Sequence, residues 1–250
     1  MIRFILTAVF LLLFLVLGLP ILAVEYFIRK KYIYAADISQ LRIVQWAFHV
    51  ILYLSGIELT VVGEENVPKD ISVLYVGNHR SYFDIIITYA RCPRPTGYVA
   101  KDSMIKVPLL SLWMKRLHCL FINREDVKEG LKTILEGISL IKNGVSMCIF
   151  PEGTRGEGKD ELDMLEFKEG SLKMAEKSGC PIIPMAITGS SAIFEDHMPF
   201  IKKTKVVLQY GKPIIISELE KEEKRHLGHY TKGKIEQMLL ENRTYLSQKG

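Results

Sequence analysis

From residue 58 onward the chain alternates short, nearly unbroken apolar runs with charged segments of helical period. No other feature narrows the fold as much. "IELTVVG" and "DISVLYVGN" read as strands, "SYFDIIITYAR" as a helix, "GYVAK" as a strand and "VPLLSLWMKRL" as a helix. "HCLFINR", "VSMCIF", "PIIPMAITGS" and "TKVVLQYGKPI" continue the strands, and "VKEGLKTILEGISLIKNG" and "FKEGSLKMAEKSG" continue the helices. Strands that carry apolar residues on both faces need cover on both faces, and the intervening helices supply it. The expected fold class is α/β, with a largely parallel sheet flanked by helices. Residues 217 to 248 add a charged helical tail with apolar residues at Ile235, Met238, Leu239 and Leu246 among others.

The N-terminus has a different character. "FILTAVFLLLFLVLGLPILAV", residues 4 to 24, has no charge over 21 positions. At about 1.5 Å per residue it roughly matches a 30 Å hydrocarbon core. "ILAVEYFIRKKY" is a poor cleavage site, so a retained anchor is expected in place of a signal peptide. Gly18 and Pro20 bend the segment near its end, which leaves spanning and re-entry both open. Arg29, Lys30 and Lys31 follow it, and the positive-inside rule then places the rest of the chain in the cytoplasm, at the cell membrane. Cys92, Cys119, Cys148 and Cys180 form no CxxC pair and read as reduced thiols, in keeping with that side. "IVQWAFHVILYLSGI", residues 43 to 57, reads as an amphipathic helix with Gln45, His49 and Tyr53 on one face. It lies either at the interface or packed on the domain. The expected organisation is a membrane anchor with an interfacial helix over residues 1–57, then an α/β domain with a helical tail over 58–250. A net charge of +5 suits an anionic membrane or phosphorylated substrates and is too dispersed to indicate nucleic acid.

Two clusters could carry chemistry. In "LYVGNHRSYFDIII", residues 74 to 87, His79 and Asp84 stand five residues apart. In one helix they would point about 140° apart. They can meet only if His79 lies on the turn before the helix and Asp84 lies in its first turn. Ser81 then reads as the N-cap, with Asp84 three residues on as in a capping box. Spacing alone leaves two readings open, a plain helix cap and a histidine oriented by a carboxylate. The second cluster, "CIFPEGTRGEG", holds Glu152, Gly153, Thr154 and Arg155 on a turn after an apolar strand. "LFINRED" places Arg124 after another. In open α/β sheets ligands sit beyond the carboxyl ends of strands. Two arginines brought together there need an anion between them, and phosphate accepts bidentate contacts. Together these residues suggest a phosphorylated substrate whose hydroxyl meets a base.

"NHRSYFD", "FINR", "FPEGTR" and "PIIPMAI" resemble, in order, the four motifs of the glycerolipid acyltransferases. More narrowly they resemble the 1-acyl-sn-glycerol-3-phosphate acyltransferases of bacterial phospholipid synthesis. The likeness covers roughly residues 58 to 216. It implies that His79 is the general base and Asp84 its orienting partner. It implies that Glu152, Gly153, Thr154 and Arg155 form the glycerophosphate-binding turn and that Arg124 binds substrate too. Lys101 and Lys168 could touch phosphate, and Pro184 would shape an acyl pocket. The second motif usually opens with glycine three residues before its phenylalanine, and His118 stands there, read as packing or pocket lining. The reaction implied is acyl transfer from an acyl thioester, on acyl carrier protein or coenzyme A, to the sn-2 hydroxyl of lysophosphatidic acid. Oxyanion donors are expected from backbone amides near Gly153 or at the start of the helix after Ser81. No bound cofactor and no metal is expected, and His226 and His229 read as solvated. Acylation of another lysophospholipid, a hydrolase using Ser81 and a non-catalytic lipid-binding protein remain as alternatives.

Overall fold

The computed structural model describes residues 1–124, 126–156, 158 and 160–248. The apolar runs form strands β1 (Ile57–Val62), β2 (Leu74–Gly77), β3 (Thr96–Lys101), β4 (Leu120–Ile122), β5 (Ser146–Ile149), β6 (Ile182–Thr188) and β7 (Thr204–Tyr210). They make one sheet in the order β1-β7-β6-β2-β5-β3-β4. β4, β3, β5, β2 and β6 run parallel, β7 lies antiparallel to β6, and β1 is parallel to β7. The sheet is therefore largely parallel, as expected.

The helices are α1 (Ile2–Leu17), α2 (Leu19–Arg29), α3 (Ile33–Ser55), α4 (Phe83–Tyr89), α5 (Pro108–Arg116), α6 (Val127–Lys142), α7 (Glu169–Ser178), α8 (Lys221–Arg225) and α9 (Leu227–Gln248). The two-residue period of the strands divides them between two cores. Tyr75, Cys148, Ile183, Met185 and Ile187 pack with Leu41, Ile51, Phe83 and Trp113 of α3, α4 and α5. Leu74, Val76, Met147, Ile149 and Ile182 pack with Ile141, Leu172, Met174 and Leu239 of α6, α7 and α9. The central strands are buried on both faces, which is why they read as continuous apolar runs.

The N-terminal segment breaks at Gly18, where α1 and α2 meet at 45°. A Cβ on Gly18 would strike the Trp113 ring and the Phe14 carbonyl oxygen, so glycine lets α1 close onto α5. Pro20 then fits in the first turn of α2, where its missing N–H leaves no helical bond unmade. Among the described residues no single helix is long and apolar enough to cross a membrane, though the bent pair is so by length and composition. α3 begins at Ile33, ten residues before the start expected from apolar content.

Polarity in these helices is inverted. Glu25 accepts from Ser39 Oγ at 2.5 Å, Asp37 from Arg29 at 2.5 Å, and buried Thr7 meets Ser55 at 3.4 Å. Buried Gln45 donates to the Tyr89 and Cys92 carbonyls at 3.2 and 2.7 Å. Gln45 and Tyr53, expected on one face, thus do not share one environment, since Tyr53 is 84% exposed and Gln45 6%. Leu12, Leu17, Phe27 and Trp46 are exposed as well. A helix facing water would arrange these groups the other way round.

His118 explains the glycine that the second motif usually carries. Its φ is +58°, in the left-handed region that a Cβ disfavours. The close backbone approach is retained, because a Cβ on Gly97 of β3 would overlap the His118 carbonyl oxygen. The ring instead makes a tertiary contact, with Nε2 at 3.0 Å from Asp37 Oδ2 of α3. Gly97→Ala is therefore expected to cost at least about 3 kcal/mol, lowering the melting midpoint by roughly 6 °C or more. Thermal unfolding of the purified variant checks this.

Candidate active site

His79 sits on the turn between β2 and α4, and Asp84 in the first turn of α4. The Nδ1 of His79 lies 2.9 Å from Asp84 Oδ2. A carboxylate offers only lone pairs, so Nδ1 carries the proton and Nε2 is left as the acceptor. The ring stacks on Phe150 with centroids 4.3 Å apart and planes 16° off parallel. Phe150 fits there because position 77 is glycine, where a Cβ would stand 3.3 Å from its ring. The His79 side chain stays 15% exposed while that of Asp84 is fully buried.

The turn is held rigid by side chains that accept from its backbone. His79 N–H donates to Glu152 Oε1 at 2.9 Å. Arg80 N–H and Ser81 N–H both donate to Asp84 Oδ2 at 2.7 Å. Tyr82 N–H donates to Glu195 Oε1 at 2.8 Å, and Phe83 N–H to Ser81 Oγ at 3.0 Å. Every N–H from 79 to 83 thus has a side-chain partner; Asp84 holds the Ser81 amide as in a capping box, but Ser81 Oγ takes the Phe83 amide, not that of Asp84, and Tyr82 stands at the N-cap. The two open readings of "NHRSYFD" turn out to be compatible, since one oxygen of Asp84 both caps the helix and orients the histidine. The same geometry already engages the Tyr82, Phe83 and Asp84 amides, so these three are not standing open as oxyanion donors. It also engages Ser81 fully, since its Oγ donates to Glu195 Oε2 at 2.6 Å while accepting from Phe83.

Asn78 fixes the base of the turn. Its side-chain amide donates to the Ile187 carbonyl and accepts from the Ile187 N–H, both at 2.9 Å, and so extends the β2–β6 ladder by one step.

The turn after β5 closes on the histidine from the other side. Glu152 is buried, and its oxygens accept from His79 N–H and, at 3.0 Å, from Leu165 N–H. It ties backbone to backbone, and in this structure its carboxylate faces the protein. Burial raises its carboxyl above the usual range, while the two amide donors pull it back. Gly153 has φ +79°, and a Cβ there would stand 2.9 Å from Lys168 Nζ, so Lys168 lies against this turn. Thr154 is exposed. The Arg155 guanidinium stacks 3.8 Å from the Tyr82 ring centroid, donates to Tyr82 OH at 3.1 Å and to Glu195 Oε1 at 3.3 Å. Arg80 is buried and reaches the carbonyls of Gly158 and Asp160, and Gly156 N–H donates to the His79 carbonyl at 2.8 Å. The loop after "FPEGTR" is thereby strapped to the histidine turn.

Lys101 ends β3 and Arg124 follows β4, so both stand at the carboxyl edge of the sheet beside β5 and β2. Burial lowers the Arg124 guanidinium and the Asp102 charge opposes this. No hydrogen bond among the described residues joins either cation to His79. Pro184 lies mid-strand in β6 opposite Val76, and its ring is where a Cβ on Gly211 would go. Three residues that position the site, Asn78, Tyr82 and Glu195, were not singled out from sequence. Asn78 and Tyr82 stand inside the first motif and could have been. Glu195 lies 114 residues from its partner Ser81, and no local pattern marks it. Among the described residues no group of His, Cys, Asp and Glu could hold a metal ion.

A family model described as "Acyltransferase" matches residues 58–188. The chain is 30% identical over 184 residues to a 1-acyl-sn-glycerol-3-phosphate acyltransferase of Borreliella burgdorferi, covering 74% of this chain and 72% of that protein. It is 28% identical over 208 residues to one of Saccharomyces cerevisiae, covering 81% of this chain and 67% of that one. Its fold matches the crystal structure of the 1-acyl-sn-glycerophosphate acyltransferase PlsC of Thermotoga maritima, with a TM-score of 0.79 at 24% identity over 96% of this chain and 95% of that one.

Proposed function

The chain belongs to the acyltransferase family, and on that premise we propose that it transfers a fatty acyl chain from a thioester to the sn-2 hydroxyl of lysophosphatidic acid, giving phosphatidic acid. The observation that carries this is the pairing of His79 Nδ1 with Asp84, which leaves Nε2 as a base on the turn whose Tyr82 ring stacks with Arg155. His79 Nε2 takes the proton of the hydroxyl as its oxygen attacks the thioester carbonyl. The new C–O bond forms, the C–S bond breaks, and the departing thiolate recovers the proton from the imidazolium. No covalent enzyme intermediate is needed, and the engagement of Ser81 Oγ on both sides speaks against one. Arg155, with Lys168 beside Gly153, supplies positive charge for the substrate phosphate. Lys101 and Arg124 extend that charge along the strand ends.

The domain of residues 58–250 would work at the cytoplasmic side of the cell membrane, held there by residues 1–57. The inverted polarity of α1 to α3 supports this, since apolar residues outside and hydrogen-bonded polar ones inside suit a lipid surrounding. Lys30 lies 4.8 Å over the Tyr26 ring and Arg116 5.1 Å over the same ring, the cation and aromatic pairing found at membrane interfaces. The test is an assay of purified protein with lysophosphatidic acid beside other lysophospholipids, offering acyl carrier protein and coenzyme A thioesters in turn. Transfer to lysophosphatidic acid is expected to dominate. Transfer only to acceptors without a phosphate monoester would move the assignment to a remodelling acyltransferase.

A further inference from the structure

The carboxylate of Glu195 touches both halves of the site. It lies in the segment after β6, outside the four motifs, and its side chain is 14% exposed. Oε2 accepts from Ser81 Oγ at 2.6 Å, while Oε1 accepts from Tyr82 N–H at 2.8 Å and from Arg155 Nη1 at 3.3 Å. Tyr82 completes a closed triangle, with its N–H on Glu195, its ring under the guanidinium and its hydroxyl accepting from Arg155 Nη2 at 3.1 Å. Arginine has five donors. Glu195 and Tyr82 take one each, so three are left for a ligand, and the guanidinium is held in one orientation before any ligand arrives.

We infer that Glu195 is a positioning residue that locks the phosphate-gripping Arg155 to the turn bearing His79. This rests on the assignment of Arg155 to the substrate phosphate. An sn-2 hydroxyl and the phosphate of the same molecule are separated by a few bonds, so the base and the arginine must keep a fixed separation. A long arginine side chain on a turn, with its fractional exposure of 34%, would otherwise sample many rotamers. The carboxylate also sets up a contest of signs. As a bare negative charge it would weaken the binding of an anion, and as an anchor it strengthens it by preorganisation.

Glu195→Gln separates these effects. Glutamine keeps the shape and an acceptor for Tyr82 N–H, so the helix start is preserved, but it removes the charge that holds the guanidinium. The KM for lysophosphatidic acid is expected to rise about tenfold, with kcat and the thioester KM changing by no more than about twofold. In an Arg155→Ala background the same change should add nothing further, since the group being positioned is gone. Tighter binding of lysophosphatidic acid by Glu195→Gln would reduce Glu195 to a counter-charge and overturn the inference. An equal fall in kcat for every acceptor, together with a lower melting midpoint and the same loss in both backgrounds, would reduce it to a helix cap and overturn it too. Binding of glycerol 3-phosphate to the full chain in detergent micelles reads the same effect without turnover. A wild-type protein that binds glycerol 3-phosphate but does not acylate lysophosphatidic acid would thus sink the proposed function while the comparison of variants still decides on Glu195.

Discussion

His79→Ala is expected to lower acyl transfer to lysophosphatidic acid by about 10²–10⁴-fold, the usual worth of a general base. Lipid binding and the melting midpoint should hardly change. The ring is partly exposed and packs flat on Phe150, so its removal opens a small space at the surface and strands no buried charge except that of Asp84. Asp84 keeps its two backbone donors, Arg80 N–H and Ser81 N–H, so the turn should persist. Initial rates over a pH series, with melting curves run alongside, check this. Unchanged transfer would remove His79 from the reaction. Transfer lost together with a collapsed melting curve would mean that the histidine holds the fold and not the chemistry.

The second large effect is expected at the phosphate. Arg155→Ala should reduce kcat/KM for lysophosphatidic acid by about 10²-fold, equivalent to about 2.7 kcal/mol, within the range for losing a charge-assisted contact to an anion. The loss should be selective. An uncharged acceptor such as a monoacylglycerol, however poor, should be turned over at an unaltered rate, because the proposed role of the arginine is at the headgroup and not at the reacting oxygen. Arg155→Lys should recover only part of the loss, since an ammonium cannot reproduce the planar fork or the stack on Tyr82. Equal losses on charged and uncharged acceptors would place Arg155 in the chemistry or the fold instead.

The strand and helix plan from β1 to β7 could be read from the sequence because strands buried on both faces have to be apolar throughout. The break at Gly18 was legible as well, through the glycine and proline. The interior of the N-terminal helices was not. Apolar periodicity assumes that polar residues face out, and here Gln40 and Gln45 are buried while Trp46 and Tyr53 face out. That assumption holds only for a helix whose outer side meets water. His118 was readable as a departure but not as a left-handed residue, since side chains at positive φ leave no compositional trace.

In the site, the position of His79 and Asp84 followed from helical geometry, which required the histidine to precede the helix. Two roles could not be read at that level. Glu152 stands in a motif that suggested ligand binding, yet both of its oxygens accept from backbone amides, those of His79 and Leu165. A carboxylate's partners depend on where the neighbouring turn lies, and sequence does not contain that. The amides after Ser81 were expected to be available for an oxyanion, as at any helix start. The Phe83 amide is taken by Ser81 Oγ, and the Tyr82 amide by Glu195, which arrives from a distant segment. Long-range carboxylates of this kind are what local pattern cannot supply.

The most direct test uses a thioester labelled in its acyl chain, wild-type protein and lysophosphatidic acid, followed by a phospholipase that cleaves only at sn-2. The expected result is label in phosphatidic acid, all of it released by that cleavage, and at least about 10²-fold less of it formed by His79→Ala. Label recovered as free fatty acid before that cleavage, or trapped on the protein at Ser81, would contradict direct transfer to the sn-2 hydroxyl.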